Sequence, residues 1–410
     1  MNRRQILQSL ATLLGGSSLP LPHARHFSGI TPPPQQAASP DATQPHPVSP
    51  HLVNLLDYED AAQGRLSKMA FDYVAEGAAD ELTLRRNRES FSGIRLKPRV
   101  LADVSKLDTQ VELLGQKLDF PILLAPAAFH KLLHPEGEIA TARGAVAAGA
   151  TMVVSSLSTT SIEDIANIAS GPLWFQLYVQ RDRGFTRELV QRAEYAGCRA
   201  LCVTVDSPVP GTRYREMRDE FHLPAGMTPA NLKSLRMPSN NDAGATLATR
   251  GIYNVLMDPK LTWDGIDAIR TYAKVPVILK GILNPEDARL AVAHGVHGII
   301  VSNHGGRQLD TVPATIEALP QVVNSAGGHI PILMDGGIRR GTDVIKALAL
   351  GARAVLIGRP YLWGLAVNGA GGVEQVIRIL YREFLTAMAL CGKPTISAID
   401  REVLWPDHSL

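Results

Sequence analysis

Past residue 118 the chain alternates between short apolar runs and longer stretches with apolar residues at helical spacing. The apolar runs predict strands at 121–125, 152–155, 173–178, 200–205, 277–280, 298–302, 332–335 and 354–357. Apolar positions three and four apart predict intervening helices, among them 136–148, 187–196, 285–294 and 342–350. Strands that are apolar throughout are buried on both faces, as in a parallel sheet covered by helices. Eight strand–helix units predict an α/β fold, a (β/α)8 TIM barrel. A doubly wound open sheet is the alternative. No G-x-G-x-x-G opens the first helix, which counts against it.

Short helices are predicted around 57–62, 69–74 and 81–87, an N-terminal helical extension to the barrel, and 95–118 reads as an aperiodic connector. Between Asp206 and Thr262 lie about 55 residues without strong periodicity. Connections longer than about 12–15 residues usually carry function or disorder. This one leaves the fourth strand and is expected to form a partly mobile lid.

At the N-terminus, Arg3-Arg4 precede a weakly apolar run over 10–21. Residues 1–24 therefore have the form of a twin-arginine export signal, although no A-x-A cleavage site is visible. Residues 25–53, rich in Pro, Gln, Ser and Ala, read as a disordered linker before a barrel domain over 54–404. Export in the folded state suits a protein that acquires its cofactor in the cytoplasm. The expected location is the periplasm, with a membrane tether if the signal is not cleaved.

Composition changes this picture little. The net charge of the 410 residues is +2, which offers nucleic acid no special attraction. No apolar run reaches about 18 residues, so no internal membrane span is expected. Cys198, Cys202 and Cys391 lack metal-ligand spacing, and no metal site is expected.

Barrel enzymes build their sites from strand C-terminal ends, and here those ends are polar. The sixth predicted strand runs into Ser302-Asn303-His304-Gly305-Gly306-Arg307-Gln308-Leu309-Asp310. His304 can take a proton near neutral pH. Arg307 can hold a carboxylate through two parallel hydrogen bonds. Gly305 and Gly306 allow a tight turn and close approach of a flat partner. Together they point to proton removal from a carboxylate-bearing substrate. Gln176 and Tyr178 end the third strand, Thr204 and Asp206 the fourth with Arg213 just beyond, and Lys280 the fifth. A lone lysine in an apolar strand is costly as core. Asp335-Gly336-Gly337-Ile338-Arg339 and Gly358-Arg359 follow the last two strands, where barrels bind phosphate.

The 302–310 stretch, with His134-Pro135-Glu136-Gly137-Glu138 and Asp335-Gly336-Gly337-Ile338-Arg339-Arg340-Gly341-Thr342-Asp343, resembles the signature of FMN-dependent L-2-hydroxy acid oxidases and dehydrogenases. Glycolate oxidase, lactate oxidase, mandelate dehydrogenase and flavocytochrome b2 are members. The resemblance runs from about Asn54 to Leu404. It implies FMN as cofactor, a small 2-hydroxy acid as substrate, oxygen or a quinone or cytochrome as acceptor, and a homotetramer. It also implies roles. His304 is the base, Asp206 its carboxylate partner, and Lys280 the cation beside flavin N1 and O2. Arg307 and Arg213 hold the substrate carboxylate, with Tyr178 and Tyr73. Ala127, Ser155, Gln176 and Thr204 meet the flavin ring. Asp335, Gly337, Arg339, Gly358 and Arg359 meet the ribityl chain and phosphate. Leu157 stands where plant glycolate oxidases have Trp, leaving the preferred side chain open. Ala127 resembles the oxidase form, which hints at oxygen as acceptor. The competing readings are an isopentenyl diphosphate isomerase-like FMN barrel and a non-catalytic flavin-binding protein.

Overall fold

The computed structural model describes residues 51–235 and 257–406. The stretch expected to be an export signal, nearly all of that expected to be a linker, and the middle of the long connection lie outside the described residues. Three helices lead: α1 (Leu55–Gln63), α2 (Lys68–Ala75) and α3 (Leu82–Gly93). Asn54 caps α1 by accepting from the Leu56 N–H, while Asp57 returns a carboxylate to the Asn54 N–H at 3.0 Å.

The stretch expected to be an aperiodic connector contains a hairpin, β1 (Val111–Leu113) paired antiparallel with β2 (Gln116–Leu118). Three-residue strands are too short for alternation to stand out. Packing holds them: Val111, Leu113 and Leu118 join one cluster with barrel residues Leu123, Val153 and Trp174.

Eight parallel strands then close on themselves: β3 (Ile122–Leu124), β4 (Met152–Ser155), β5 (Leu173–Leu177), β6 (Leu201–Thr204), β7 (Val277–Ile282), β8 (Gly298–Val301), β9 (Ile332–Asp335) and β10 (Ala354–Ile357), which pairs back onto β3. The chain is a (β/α)8 barrel, and the open-sheet alternative is excluded. Around it lie α4 (Glu138–Ala148), α5 (Ile162–Ile168), α6 (Arg183–Tyr195), the one-turn α7 (Tyr214–Arg218), α8 (Trp263–Tyr272), α9 (Pro285–Ala293), α10 (Thr315–Ala326), α11 (Gly341–Ala349) and α12 (Arg359–Leu390). Asn284 caps α9 and Pro285 opens it, supplying a fixed φ where no N–H is needed. α12 changes direction at Asn368 and Gly369, which leave helical geometry.

Side chains alternate across each strand. Outward residues such as Val154, Phe175, Val203 and Met334 pack beneath the helices, in the larger core. Inward residues form layers. Val153, Trp174, Cys202, Ile278, Ile300 and Leu333 make an apolar layer over the hairpin. Two residues further along the same strands stand Ser155, Gln176, Thr204, Lys280, Ser302 and Asp335, all buried. The barrel thus has an apolar floor and a polar C-terminal mouth.

Strand β7, the fifth predicted strand, departs from expectation. It continues past Lys280 to Ile282 through a register shift. Gly281 sits there at φ 115°, and a Cβ on it would come within 2.5 Å of the Asp206 side chain. The bulge lets two strand ends approach each other.

The N-terminal helices cover part of the mouth. Phe71 of α2 stacks on Trp363 of α12 with ring centroids 5.1 Å apart. Among the described residues, no helix is long and apolar enough to cross a membrane.

Candidate active site

A cleft with a cavity volume of about 320 Å³ opens at this mouth. All of the residues given catalytic, substrate or cofactor roles from the sequence line it except Asp206, which lies behind His304.

His304 occupies the left-handed region at φ 59°, where a side chain is strained, followed by Gly305 at 66° and Gly306 at 74°. This turn brings the imidazole over the mouth. Its Nδ1 lies 2.9 Å from Asp206 Oδ1, and its Nε2 lies 3.3 Å from the Tyr178 hydroxyl. Burial alone would raise the Asp206 carboxyl, but the charge and hydrogen bond of His304, with Lys280, outweigh it and hold it below the ordinary range. Burial and then the charge of Asp206 push the Tyr178 phenol well up, so it stays protonated. Such a pair can take a proton at Nε2 and stabilise the resulting imidazolium.

Lys280 is buried yet charged. Its Nζ lies 3.0 Å from Asp335 Oδ2 and donates to Ser302 Oγ at 2.9 Å. Burial opposes the charge, but Asp335 and Asp206 prevail and raise the lysine further. The Ser302 Oγ also accepts from the His304 N–H at 3.1 Å, tying lysine and histidine together. Gln176 Nε2 donates to Thr204 Oγ1 at 2.9 Å, and Gln176 Oε1 accepts from Ser155 at 3.2 Å.

Arg307 differs from the simple fork expected of it. Its Nη1 donates to the carbonyls of Tyr73 at 2.6 Å and Glu76 at 3.1 Å, and its Nη2 to Glu216 at 3.0 Å. A guanidinium has five N–H donors, so Nε and one Nη2 hydrogen remain for a ligand. The guanidinium lies 5.1 Å from the Tyr73 ring centroid, and Tyr73 stacks on Phe221 at 4.5 Å. Arg213 reaches the same Glu216 at 3.3 Å.

At the other end, Arg339 and Arg359 are half-buried. Arg359 donates to the carbonyls of Val74, Gly305 and Glu76 at 2.7, 2.9 and 2.8 Å. Burial first, and then neighbouring arginines, push both guanidiniums down, Arg339 to about 10.

The sequence profile of FMN-dependent dehydrogenases matches residues 62–406. The chain belongs to this family. It is 49% identical over 356 residues to L-lactate oxidase of Nostoc sp., covering 86% of this chain and 98% of that protein. It is 46% identical over 359 residues to glycolate oxidase 1 of Oryza sativa subsp. indica, covering 87% and 96%. Among solved structures, mandelate oxidase with (S)-2-phenylpropionate superposes with a TM-score of 0.77 at 42% identity, covering 86% and 98%. This protein is an FMN-dependent oxidoreductase acting on CH–OH groups.

The residues present fit FMN. Arg339 Nε and Asp335 Oδ1 are buried at the cleft without a partner, a donor suited to phosphate and an acceptor suited to hydroxyls. Arg339 and Arg359 carry partly buried positive charge that a phosphate would offset. Gly358 precedes α12 without a side-chain cap, and a Cβ there would meet nothing nearer than Ala125 at 3.9 Å. Backbone N–H groups at that helix start are open to an anion. The identity to lactate and glycolate oxidases over nearly their whole length counts against the isomerase-like alternative.

Ser302, Ser207, Glu76 and Glu216 were not singled out from the sequence. Ser207 donates to Asp206 at 3.0 Å and lies 3.5 Å from His304 Nδ1. Strand parity could have found Ser302, two residues before His304. No local signal marks the others.

Proposed function

We propose that this protein oxidises a small L-2-hydroxy acid, lactate- or glycolate-like, to the 2-oxo acid, with oxygen as acceptor and hydrogen peroxide as product. The observation that carries this reading is His304, held at Nδ1 by Asp206 at 2.9 Å with Nε2 turned into the cleft. FMN, when bound, supplies the two-electron acceptor for the carbon–hydrogen bond that breaks. Arg307 and Arg213 bind the substrate carboxylate and fix which carbon faces the cofactor. Tyr178 and Tyr73 orient the hydroxyl and carboxylate. His304 Nε2 takes the proton lost in the oxidation, and Asp206 stabilises the charge that develops on the ring. Lys280 would supply fixed positive charge that favours the negative charge a flavin ring gains on reduction. Asp335, Gly337, Arg339, Gly358 and Arg359 hold the ribityl phosphate, and Ala127, Ser155, Gln176 and Thr204 the ring.

Two kinds of observation support the acid class: the two arginines beside the base, and relatives whose names cover lactate, glycolate and mandelate oxidation. Leu157 lines the cleft and is smaller than Trp, leaving room for a short aliphatic side chain. Anaerobic bleaching of flavin absorbance by L-lactate, glycolate or L-mandelate tests the reaction. Rapid recovery of colour in air supports the oxidase. Slow recovery supports a dehydrogenase linked to a quinone or cytochrome, and no bleaching by any acid overturns the proposal.

The location we propose is the periplasm, reached by twin-arginine export through Arg3-Arg4, and the assembly a homotetramer. Light scattering of the purified holoenzyme tests the latter.

A further inference from the structure

Two carboxyl groups stand behind the arginines, and the mechanism above does not use them. A single oxygen, Glu216 Oε1, lies 3.0 Å from Arg307 Nη2 and 3.3 Å from Arg213 Nη1. Behind it is Glu76, whose side chain is fully buried. The Glu76 carboxyl accepts the backbone N–H of Arg215 at 2.8 Å and of Glu216 at 3.2 Å. Its own carbonyl accepts from Arg307 at 3.1 Å and Arg359 at 2.8 Å. Glu76 therefore touches both the strap that carries Glu216 and the arginines that Glu216 joins.

Two partly buried guanidiniums repel each other, and Arg307 is pushed down by its burial and by Arg213. A shared carboxylate oxygen makes them compatible before any ligand arrives. A substrate carboxylate then adds negative charge to a cluster that already holds Glu216 and Glu76. The carboxyl least able to stay ionised answers by taking a proton.

We infer that Glu216 and Glu76 form a proton-linked backing for the substrate clamp: Glu216 holds Arg213 and Arg307 as one unit, and Glu76 takes up a proton as the substrate carboxylate binds. The inference rests on the reading that these arginines hold the substrate carboxylate. Burial and then the charge of Glu216 raise Glu76 to about 7, within the working range of the exchange. The other charges facing Glu76 do not replace that proton. Arg215 is committed to Asp72 at 3.3 Å and Glu81 at 2.7 Å. Arg307 and Arg359 meet the Glu76 carbonyl, and Tyr73 is a phenol that burial keeps neutral.

The sign of the linkage follows. Binding is strongest where Glu76 is protonated, and weakens by up to about tenfold per pH unit above neutrality. The test uses the holoenzyme with a His304→Gln background, which removes the titration of the imidazole. The ligand is propionate, a carboxylate without the hydroxyl, followed by its perturbation of flavin absorbance from pH 6 to 9. The Kd should rise with pH. Adding Glu76→Gln, which keeps an acceptor for the two N–H groups and offers a donor like the protonated acid, should flatten the profile. Adding Glu216→Gln should raise the Kd by about 10–100-fold, the loss of one charged bridge. The same pH dependence with Glu76→Gln overturns the proton linkage. Unchanged or tighter binding with Glu216→Gln overturns the backing role and makes Glu216 a competitor of the ligand.

Where a variant fails to fold, calorimetry of propionate binding in two buffers of different ionisation enthalpy counts protons taken up by the His304→Gln protein. No uptake near pH 7 overturns the inference. Arg307→Lys and Arg213→Lys separate the two readings. If both leave propionate binding unchanged, the clamp itself is wrong. If they weaken it while the glutamate variants do nothing, only the backing falls.

Discussion

Asp206 reaches His304 across the bulge in β7: Oδ1 stands 2.9 Å from the imidazole Nδ1, and the Asp206 side chain packs where Gly281 has no Cβ. The contact fixes which ring nitrogen faces the cleft. Replacing Asp206 by Asn keeps the size of the side chain and removes its charge. We expect kcat to fall by about 10²–10⁴-fold with little change in KM. Stopped-flow reduction of the flavin by substrate measures it directly. Reduction at the unsubstituted rate would show that the imidazole needs no counter-charge.

Lys280 and Asp335 form a buried ion pair at 3.0 Å, with side-chain exposures of 5% and 8%. Removing one partner leaves the other charge without compensation, so Lys280→Met should cost about 3–5 kcal/mol of stability. Denaturant unfolding of the apoprotein checks this, and a second substitution, Asp335→Asn, should recover part of the loss. Full stability in Lys280→Met would mean that Asp335 has another partner in solution.

The same groups set the dependence of stability on pH. Lys280 is raised above its ordinary value in the folded state, so its contribution is complete below the ordinary lysine range and is lost only as pH rises through the raised value. Asp206 is held below its ordinary value, so its contribution is present above the ordinary carboxylate range and is lost as pH falls through the depressed one. The contribution of Lys280 should not change between about pH 6 and about pH 9. The contribution of Asp206, taken as the difference in melting temperature from Asp206→Asn, should shrink as pH falls through the carboxylate range. A difference that does not shrink on the acid side would contradict the assignment.

Arg339 carries a buried Nε without a partner at the end of the cleft where we propose the FMN phosphate binds. Arg339→Gln should weaken FMN retention by about 10–100-fold, the worth of a hydrogen bond to a charged group. Fluorescence titration of the apoprotein with FMN reads this. Riboflavin, which lacks the phosphate, should bind the two proteins equally, and an equal loss for riboflavin would place the contact elsewhere.

Changing both Arg3 and Arg4 to Lys should hold the protein in the cytoplasm with its flavin bound. Cell fractionation measures it, and unimpaired export would remove the twin-arginine reading.

Much of the barrel was legible because its strands must be buried on both faces, which writes continuous apolar runs into the chain. Period two did the same for the site. Trp174 lies in the apolar layer, and Gln176 on the same face two residues on belongs to the polar mouth; Ile278 and Lys280 repeat the relation on β7. Local chemistry therefore marked His304, Lys280 and the glycine turns without knowledge of the fold.

Other features have no local cause. The hairpin at 111–118 is stable only because it packs under the barrel floor, and three-residue strands carry too little pattern to announce themselves. Asp206 and His304 are 98 residues apart, and their partnership depends on a bulge in a third segment. Glu76 falls just past a predicted helix and Glu216 inside the stretch read as an aperiodic lid, and nothing marks either until α2 and α7 meet over the mouth. The sequence by itself determined the barrel and the residue types at its open end, since burial and side-chain alternation act along a strand. Only the tertiary structure decided which charges share a site, since electrostatic partnership depends on distance through space and on the water that folding removes.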